Sequence, residues 1–382
     1  MRMTLEPYQN RPTRAEISLA NLRNNLSIVQ SLVNQNVQIM AVVKANAYGH
    51  GIFEISRELL AHGVQYLGVA FLEEAIFLRS CGITAPILVL GAINTDQIAE
   101  FIQHDIEITS SSIEKSLAID KVAKELGKKA KVHLKIDTGM ERIGVHWYNA
   151  EKFIDVSYHC DSLLIQGIFS HFAKAESDPD FTAEQLGRFD SVLTLMDKKY
   201  FLPPLIHIAN SAGIIHYKQS HYTMVRPGIM LYGYNPDGYL PDVTFNGKKL
   251  KPVMTLKTKV SYFKVVPPNT GISYNHSYHT KNQTRIVTLP IGYGDGYSRQ
   301  LSNKGTVVIR GKEYPIVGTI CMDQCMVDIG MDGTAYNGDD VLVFGEMDGA
   351  SIPLEHVCEK IGTIPYDVIC SIAPRVPRIY ID

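Results

Sequence analysis

The stretch Ile39-Met-Ala-Val-Val-Lys44-Ala-Asn-Ala-Tyr48 joins a short apolar run to a lysine. The run is rich in residues that favour β-structure and has the length of a strand buried on both faces. Barrel enzymes place catalytic groups at the carboxyl ends of such strands, whereas the structural alternative is a lysine that only reaches towards solvent. The small residues after Lys44 leave room for a planar ring, and Tyr48 is close enough in sequence to pack beside one.

Strand and helix patterns alternate outward from this stretch. Before it, residues 17–33 carry apolar side chains at three- and four-residue spacing, which predicts an amphipathic helix with Ser18 as its N-cap. After it, apolar runs alternate with helical patterns, for example over 112–126 and 183–198. The further predicted strands are residues 66–71, 86–90, 106–109, 132–137, 164–170, 205–209 and 223–226. About eight β-α units in about 230 residues have the size of a (β/α)8 barrel.

The pattern changes over residues 235–251, which are rich in glycine, proline and aspartate and are typical of a linker. Beyond this segment, alternation with period two predicts short strands separated by turns, over 260–266, 284–290, 305–310 and 341–344. The predicted fold class is therefore α/β: an N-terminal (β/α)8 TIM-type barrel over 1–245, followed by a mostly β domain over 246–382. The length of 382 residues suits this division.

Composition excludes several classes of protein. A formal net charge of −2 with scattered basic residues gives no reason to expect nucleic acid or a membrane surface as a partner. The first 14 residues lack the apolar core of a signal peptide, and the six cysteines are too dispersed for a disulfide framework. These observations predict a cytoplasmic protein with reduced thiols. Cys321 and Cys325 have no second pair or nearby histidine, so no metal site is predicted.

A second lysine lies inside a predicted strand. Lys135 shares a strand face with His133 and Asp137, so all three side chains are expected to point into the barrel. A buried cation needs a partner or loses its charge. Two interpretations remain open: an ion pair with Asp137, or a carbamate on the amine whose negative charge holds Arg142.

Polar residues also follow the later strands. Active sites of barrel enzymes lie where the carboxyl ends of the strands meet, and phosphate groups bind in the loops after the seventh and eighth strands. Ser211 opens a predicted helix, and main-chain donors there and at Gly228 and Ile229 suit an anion. Taken singly, each histidine is typical of a core or surface residue. The side chains expected to converge are those of Lys44, His171, His207, Asn210, Ser211 and Arg226.

Several motifs occur in a fixed order along nearly the whole chain. They are Val42-Val-Lys44-Ala-Asn-Ala-Tyr48-Gly-His50-Gly, Lys-Ile-Asp-Thr-Gly-Met at 135–140, Ser-His-Phe at 170–172, Ala-Asn-Ser at 209–211, Arg-Pro-Gly-Ile at 226–229, Ser-Tyr at 273–274, Ile-Gly-Tyr-Gly-Asp-Gly at 291–296, Ile-Cys-Met-Asp-Gln at 320–324 and Arg-Val-Pro-Arg at 375–378. Together they resemble the alanine racemase family, and the first is similar to that family's cofactor-attachment signature.

The resemblance implies an amino-acid racemase that interconverts L-alanine and D-alanine, supplies D-alanine for peptidoglycan synthesis and acts as a homodimer with shared active sites. Lys44 would carry pyridoxal 5'-phosphate as a Schiff base and act as one base. Tyr274 of the partner subunit would be the second base, on the opposite face of the substrate. Arg226 would contact the pyridine nitrogen, and His171 and His207 would join it to Tyr274 through hydrogen bonds.

The remaining roles implied by the resemblance concern the phosphate and the substrate carboxylate. Arg142 and the backbone of Met322 would bind the carboxylate, and Lys135 would be the carbamylated lysine that positions Arg142. Tyr293 would narrow the entrance, and Asp323 is grouped with the supporting residues. The phosphate would be surrounded by Tyr48, Ser211, Gly228, Ile229 and Tyr366, and Asn210 is grouped with the cofactor-binding residues.

Other functions of the same fold remain open. A racemase acting on serine or on several amino acids differs by one hydroxyl on the substrate, which a pocket discriminates modestly. A decarboxylase would not need the second base, and a non-catalytic pyridoxal phosphate carrier would resemble the barrel alone. Three residues depart from the family pattern: Asn275, which tolerates a left-handed backbone; Glu141, expected to face away from Arg142; and Gly294 in place of alanine, expected to matter little.

Overall fold

The computed structural model of the protein describes residues 10–382. Two compact units divide the chain, and each is named here by its architecture. The barrel unit comprises residues 22–47 and 51–251, and the strand unit comprises residues 10–21, 48–50 and 252–382. Among the described residues, no helix is both long enough and apolar enough to cross a membrane.

Parallel strands form the sheet of the barrel unit, and neighbours in space follow chain order. The strands are Gln38–Val42, Tyr66–Val69, Ile87–Val89, Glu107–Ser110, Ala130–Asp137, Leu163–Phe169, Leu205–His207 and Met224–Val225, with Val145–His146 added beside Ala130–Asp137. The last strand pairs with the first, and the N–H of Arg226 donates to the Ala209 carbonyl at 3.0 Å. The ring of eight strands is therefore nearly closed, which confirms the predicted barrel.

Helices alternate with these strands along the chain. They are Leu19–Leu32, Ile52–Ala61, Leu72–Ser80, Ile98–Gln103, Ile113–Glu125, Ala150–Tyr158, Pro179–Lys199 and Ser211–His216, and Lys44–Tyr48 forms a short left-handed turn. Local sequence explains their starts: Ser18 Oγ accepts from the Asn21 N–H at 3.1 Å, and Ser112 Oγ accepts from the Lys115 N–H at 3.2 Å. Serine is a favourable N-cap because its oxygen satisfies a main-chain donor that the helix leaves open.

The strand unit is built on a ten-stranded sheet and a two-stranded hairpin. Its strands are Arg14–Ser18, Met254–Lys259, Tyr262–Val266, Gly271–Ile272, Tyr278–His279, Thr284–Leu289, Thr306–Ile309, Lys312–Val317, Cys325–Asp328, Asp340–Met347, Ala350–Ile352 and Arg378–Ile381, and its longer helices are Leu354–Ile361 and Pro365–Ser371. The unit is mostly β, as the period-two alternation predicts.

The predicted domain boundaries of 1–245 and 246–382 need a correction at both ends of the barrel. Strand Arg14–Ser18 pairs antiparallel with Met254–Lys259 and parallel with Arg378–Ile381, so it belongs to the strand unit. Ile17, which the periodicity placed in the first helix, is a buried residue of this strand. The partners are far away in sequence, so a local pattern could not identify them. Residues 246–251, in turn, belong to the barrel unit.

Candidate active site

The backbone turns left-handed directly after Lys44. Residues 45–48 all have positive φ, between 51° and 55°. This conformation costs roughly 1–2 kcal/mol per non-glycine residue, so the turn needs support. The Ala47 N–H donates to the Val43 carbonyl at 2.8 Å, and Asn46 Oδ1 accepts from the Ile52 N–H at 2.9 Å. The supported turn holds the half-buried Lys44 at the carboxyl end of its strand.

Lys135 is buried inside the barrel unit, and no carboxylate within residues 10–382 forms an ion pair with its amine. Its Nζ donates to the Ile136 carbonyl at 2.8 Å and lies 5.2 Å from the centroid of the Phe169 ring. Burial, and next the charge of Arg226, lower the pKa of Lys135 to about 7. A large share of this amine is therefore neutral near pH 7. His133 and Asp137 are also buried, so all three side chains of this strand face lie inside, as the alternation predicts.

Asp137 binds main-chain N–H groups through its carboxylate and does not form the ion pair with Lys135 that was one of the two interpretations. Its carboxylate accepts four main-chain N–H bonds of 2.8–3.2 Å, from Gly139, Met140, Glu141 and Arg142. These bonds fix the turn that carries Arg142. The Lys135–Asp137 ion pair is not among those formed by residues 10–382, because the Asp137 oxygens are directed at this turn.

The segment after Arg142 packs closely against Lys135. Gly144 has φ of +111°, and a Cβ there would lie 2.8 Å from the Lys135 carbonyl oxygen and 2.9 Å from its Cγ. Only glycine fits this approach. Glu141, the acidic neighbour of Arg142, accepts a hydrogen bond from His146 Nε2 at 2.8 Å. Its carboxylate is therefore engaged with a partner other than Arg142.

Arg226 lies at the centre of the buried polar groups. Its Nη1 donates to His207 Nδ1 at 2.7 Å, and its Nη2 donates to His171 Nδ1 at 3.1 Å. Nη2 also donates to the carbonyls of Ser170 and Ile208, whereas none of the hydrogen bonds within residues 10–382 uses Nε. Burial first, and then Arg142, lower the pKa of Arg226 to about 9, so the group remains a cation at neutral pH.

His171 is surrounded by positive charge. Burial lowers its pKa well below the ordinary value, and Arg226, Arg142, Lys135 and Lys44 lower it further, in that order. The imidazole is therefore neutral. Because Arg226 can only donate, His171 Nδ1 must accept, and the ring proton lies on Nε2. The structure thus brings Lys44, Lys135, Arg142 and Arg226 around one histidine.

Ser211 joins the loops that follow the seventh and eighth strands. Its Oγ accepts from the N–H of Gly228 at 3.1 Å and from the N–H of Met230 at 3.4 Å. Asn210 caps the helix that Ser211 begins, because its Oδ1 accepts from the Gly213 N–H at 2.9 Å. Ile229 is buried next to Gly228. The two loops predicted to bind phosphate are therefore held together within the barrel unit.

Two tyrosines of the predicted phosphate group lie together in the strand unit. The ring centroids of Tyr48 and Tyr366 are 6.0 Å apart. Tyr48 is buried, and this burial raises its pKa, so its hydroxyl is protonated at neutral pH. Tyr366 remains partly exposed.

Tyr274 lies on a strained loop of the strand unit. Its neighbours Ser273, Asn275 and His276 have φ of 64°, 60° and 47°. The expectation that Asn275 accommodates a left-handed backbone is confirmed. The Ser273 hydroxyl donates to the Thr319 carbonyl at 2.5 Å. The Tyr274 side chain is 68% exposed, which is unusual for a large aromatic ring on a constrained loop.

Met322 and Asp323 lie on a loop whose backbone is held by residues 293–295 and Arg375. The Gly294 N–H donates to the Met322 carbonyl at 2.8 Å, and Arg375 Nη2 donates to Asp323 Oδ1 at 2.8 Å. A Cβ at Gly294 would lie 2.5 Å from Arg375 Nη2. Because that atom is the end of a long side chain and can shift, the expectation that Gly294 matters little stays a prediction.

Sequence reasoning missed the positioning role of Arg375, although its motif was noted, and it missed Glu107 entirely. Arg375 Nε donates to Asp295 Oδ1 at 2.7 Å, in addition to its bond with Asp323. A carboxylate inside a barrel strand was the available signal for Glu107. Among the described residues, no group of three or more histidine, cysteine, aspartate or glutamate side chains could hold a metal ion.

The barrel with its strand-end lysine and buried arginine, followed by the mostly β unit, has the architecture expected of an amino-acid racemase. Family models give the family: "Alanine racemase, N-terminal domain" matches residues 17–236, and "Alanine racemase, C-terminal domain" matches residues 253–380. The chain therefore belongs to the alanine racemase family.

Individual relatives agree with this assignment over nearly their whole length. Alanine racemase 2 of Caldanaerobacter subterraneus is 44% identical over 97% of this chain and 95% of its own. The structure of alanine racemase from Clostridium difficile 630 matches with a TM-score of 0.90 and 39% identity, over 97% of this chain and 96% of that one. The structure from Bartonella henselae, described with covalently bound pyridoxal phosphate, matches with a TM-score of 0.86 and 31% identity, over 97% of this chain and 99% of that one.

Proposed function

We propose that the protein interconverts L-alanine and D-alanine with pyridoxal phosphate held on Lys44, and that it works as a homodimer with shared active sites. The observation that carries the proposal is the cluster around the neutral His171, which accepts a hydrogen bond from the buried Arg226 and whose pKa is lowered by burial and then by Arg226, Arg142 and the strand-end Lys44. The names of the relatives support alanine as the substrate.

The residues of the barrel unit fit the cofactor chemically. The Lys44 amine suits its aldehyde, the Arg226 Nε suits a ring nitrogen, and the Ser211 and Gly228 loops suit a phosphate. Tyr48 and Tyr366 would add hydroxyl groups to the same phosphate, with Asn210 holding the helix start. When bound, pyridoxal phosphate withdraws electrons from the α-carbon of the amino acid and thereby acidifies its α-proton.

Racemisation requires a base on each face of the α-carbon. Lys44 Nζ would exchange the proton on one face, and Tyr274 Oη of a second copy would exchange it on the other. Lysine and tyrosine both have ordinary pKa values near 10, so each needs surroundings that stabilise its deprotonated form. His171 can serve Tyr274 in this way, because its proton lies on Nε2 and can be donated to a phenolate oxygen.

Arg226 would set the reactivity at the ring nitrogen by keeping its own proton. A guanidinium remains charged at neutral pH even when burial has lowered its pKa to about 9. It can donate a hydrogen bond to the ring nitrogen but does not transfer the proton. This weaker activation favours return of a proton to the α-carbon over side reactions such as transamination.

Arg142 would bind the substrate carboxylate, together with the main-chain N–H of Met322 from the second copy. A guanidinium matches a carboxylate in charge and geometry. A buried amine with a pKa of about 7 is to a large extent neutral at pH 7, and the neutral amine is the form that reacts with carbon dioxide. As a carbamate formed in this way, with loss of a proton to solvent, Lys135 would support Arg142. The resulting negative charge would lie among Arg142 and Arg226.

Exposure supports the shared site. Tyr274, Met322 and Tyr293 are 68%, 54% and 43% exposed in the single chain. Apolar and aromatic side chains of this size on constrained loops are typical of surfaces that a partner covers. We therefore propose that Tyr293 narrows the substrate entrance next to the Tyr274 and Met322 of the same copy, with Asp323 stabilising the loop.

A racemisation assay tests the function directly. Purified protein is incubated with L-alanine and, in parallel, with L-serine, with and without added pyridoxal phosphate, and the D-enantiomer is quantified. We expect D-alanine to form and to depend on the cofactor, with slower conversion of serine. Equal rates on both substrates would indicate a broad-specificity racemase. Cofactor binding without any racemisation would instead indicate a carrier. Formation of D-alanine would fit the proposed supply of peptidoglycan precursors.

A further inference from the structure

A continuous chain of hydrogen bonds runs from Arg226 through the interior of the barrel unit to a buried carboxylate. Arg226 Nη1 donates to His207 Nδ1 at 2.7 Å, and His207 Nε2 lies 2.9 Å from His133 Nδ1. His133 Nε2 lies 2.7 Å from Glu107 Oε2. Both histidines are fully buried, and Glu107 is 3% exposed. The chain thus connects Arg226 to Glu107 without any solvent-exposed group.

Only one arrangement of protons satisfies this chain. Arg226 has donors but no acceptor, so His207 Nδ1 must be unprotonated and its proton lies on Nε2. This Nε2–H donates to His133 Nδ1, which places the His133 proton on Nε2, directed at the Glu107 carboxylate. Both imidazoles are therefore neutral. Although His133 and Glu107 are at ion-pair distance, their contact is a hydrogen bond from a neutral ring to a carboxylate.

We propose that Glu107 and His133 are positioning residues for Arg226: they hold His207 in the tautomer that accepts from Nη1, and thereby fix the guanidinium that would contact the ring nitrogen of the cofactor. This proposal rests on the function proposed above. Within residues 10–382, no ion pair includes Arg226. The Glu107 carboxylate is the negative charge at the other end of the hydrogen-bond chain, and two neutral imidazole rings separate it from the Arg226 guanidinium. Buried polar networks of this kind are favourable only when every member is satisfied, and here each nitrogen of both rings has a partner.

The neighbouring backbone leaves space for this chain. A Cβ at Gly167 would lie 2.3 Å from His133 Nδ1 and 2.9 Å from the Leu205 carbonyl oxygen. The pairing of strands Ala130–Asp137 and Leu163–Phe169 also shifts register between Val132 and His133. The His133 ring therefore occupies space that any other residue at position 167 would fill. Phe169 packs parallel to the His207 ring, with centroids 4.9 Å apart, and restricts its rotation.

The first experiment observes the tautomers without using activity. Protein labelled with ¹⁵N-histidine is examined by NMR from about pH 6 to about pH 9, with His133→Asn and His207→Asn used for assignment. We expect both residues to carry the proton on Nε2 throughout this range. A proton on Nδ1 of either ring, or titration of the His207 ring within the range, would overturn the proposal whether or not the protein racemises alanine.

The second experiment asks whether the chain acts on Arg226. Glu107→Gln keeps the size of the side chain and removes its charge, and we expect kcat to fall about 10-fold with KM for alanine little changed. Tyr66→Phe is the matched control, because it removes only the 3.4 Å contact of Tyr66 Oη with Glu107 Oε1 and should leave both parameters unchanged. Gly167→Ala should lower kcat in the same way by displacing the His133 ring.

The two proposals fail in different ways. Unchanged kcat in a folded Glu107→Gln variant of an active racemase would overturn the positioning role alone. A wild-type protein that forms no D-alanine would overturn the proposed function, while the histidine tautomers could still be measured. If Glu107→Gln does not fold, the wild-type NMR result and the Gly167→Ala kinetics decide the question.

Discussion

Arg226 is 3% exposed and His207 is fully buried in the barrel unit, whereas Tyr274 is 68% and Met322 is 54% exposed in the strand unit. The barrel residues are oriented by hydrogen bonds to one another, and the strand-unit residues are oriented by the backbone of their loops. Hydrogen bonds within a single chain therefore orient the barrel residues. The Tyr274 and Met322 side chains instead face outward in the single chain, which is the arrangement that the proposed shared site needs.

Replacing the barrel lysine should have the largest effect. In the proposed mechanism, Lys44→Ala would remove both the cofactor attachment and one base, so we expect racemisation to fall by about 10⁴-fold or more. Covalent cofactor absorbance should also disappear. Lys128→Ala is the control, because Lys128 is an exposed lysine of the same unit. Retained absorbance in Lys44→Ala would place the cofactor on another lysine.

The exposed tyrosine should have a large but one-sided effect. In the proposed mechanism, Tyr274→Phe would remove the base on one face, so we expect proton removal from one alanine enantiomer to slow by roughly 10²–10⁴-fold, and much more than from the other. Hydrogen–deuterium exchange at the α-carbon of each enantiomer measures this difference. Tyr336→Phe, at another exposed tyrosine of the strand unit, should change neither rate. Equal losses for the two enantiomers would contradict the two-base assignment.

Mixing two inactive variants tests whether the halves come from different copies. A heterodimer of Lys44→Ala and Tyr274→Phe would have one site with both changes and one site with neither. Activity should therefore return when the variants are unfolded and refolded together. No recovery, despite heterodimer formation, would show that both residues of a site come from the same chain.

Burial of Lys135 should make stability depend on pH. Its pKa is about 7 in the folded protein, against an ordinary value of 10.5. Unfolding therefore takes up a proton between these pH values, and the free energy of unfolding rises with pH across this window by on the order of 4 kcal/mol. Lys135→Met should remove this rise, whereas Lys131→Met, on the same strand, should keep it. Denaturant unfolding in carbon-dioxide-free buffer at several pH values measures the free energy of unfolding of each protein. If wild type and Lys135→Met showed the same dependence on pH, the pKa of Lys135 would not be lowered in the folded protein.

The smallest effect is expected at Gly294. Gly294→Ala places a Cβ 2.5 Å from Arg375 Nη2, but the end of an arginine side chain can shift. We expect KM for alanine to rise about threefold or less, with stability lowered by less than about 1 kcal/mol. Gly187→Ala is the control, since its Cβ would meet nothing within 4 Å. A large loss of stability would mean that Arg375 is held rigidly by Asp295 and Asp323.

Local sequence patterns were enough to predict the two architectures, and they singled out most of the residues proposed for the site. Periodicity identified all eight barrel strands, because each strand is a local apolar run between turns, and Lys44, His171 and Arg226 stand out as polar residues at strand ends. Period-two alternation identified the mostly β second unit. Local chemistry also predicted the Ser18 cap and the left-handed Asn275, since both depend on the residue itself and its immediate neighbours.

The pairing of distant strands and the hydrogen-bond partners of buried side chains became visible only in the folded structure. The strand Arg14–Ser18 belongs to the strand unit because it pairs with Met254–Lys259 and with Arg378–Ile381. Both partners are more than 200 residues away in sequence, so no local pattern contains this pairing. Asp137 binds main-chain N–H groups instead of Lys135, and Glu107 reaches Arg226 through His133 and His207. Hydrogen bonds depend on distance and direction in space, and residues far apart in sequence meet only after the chain has folded.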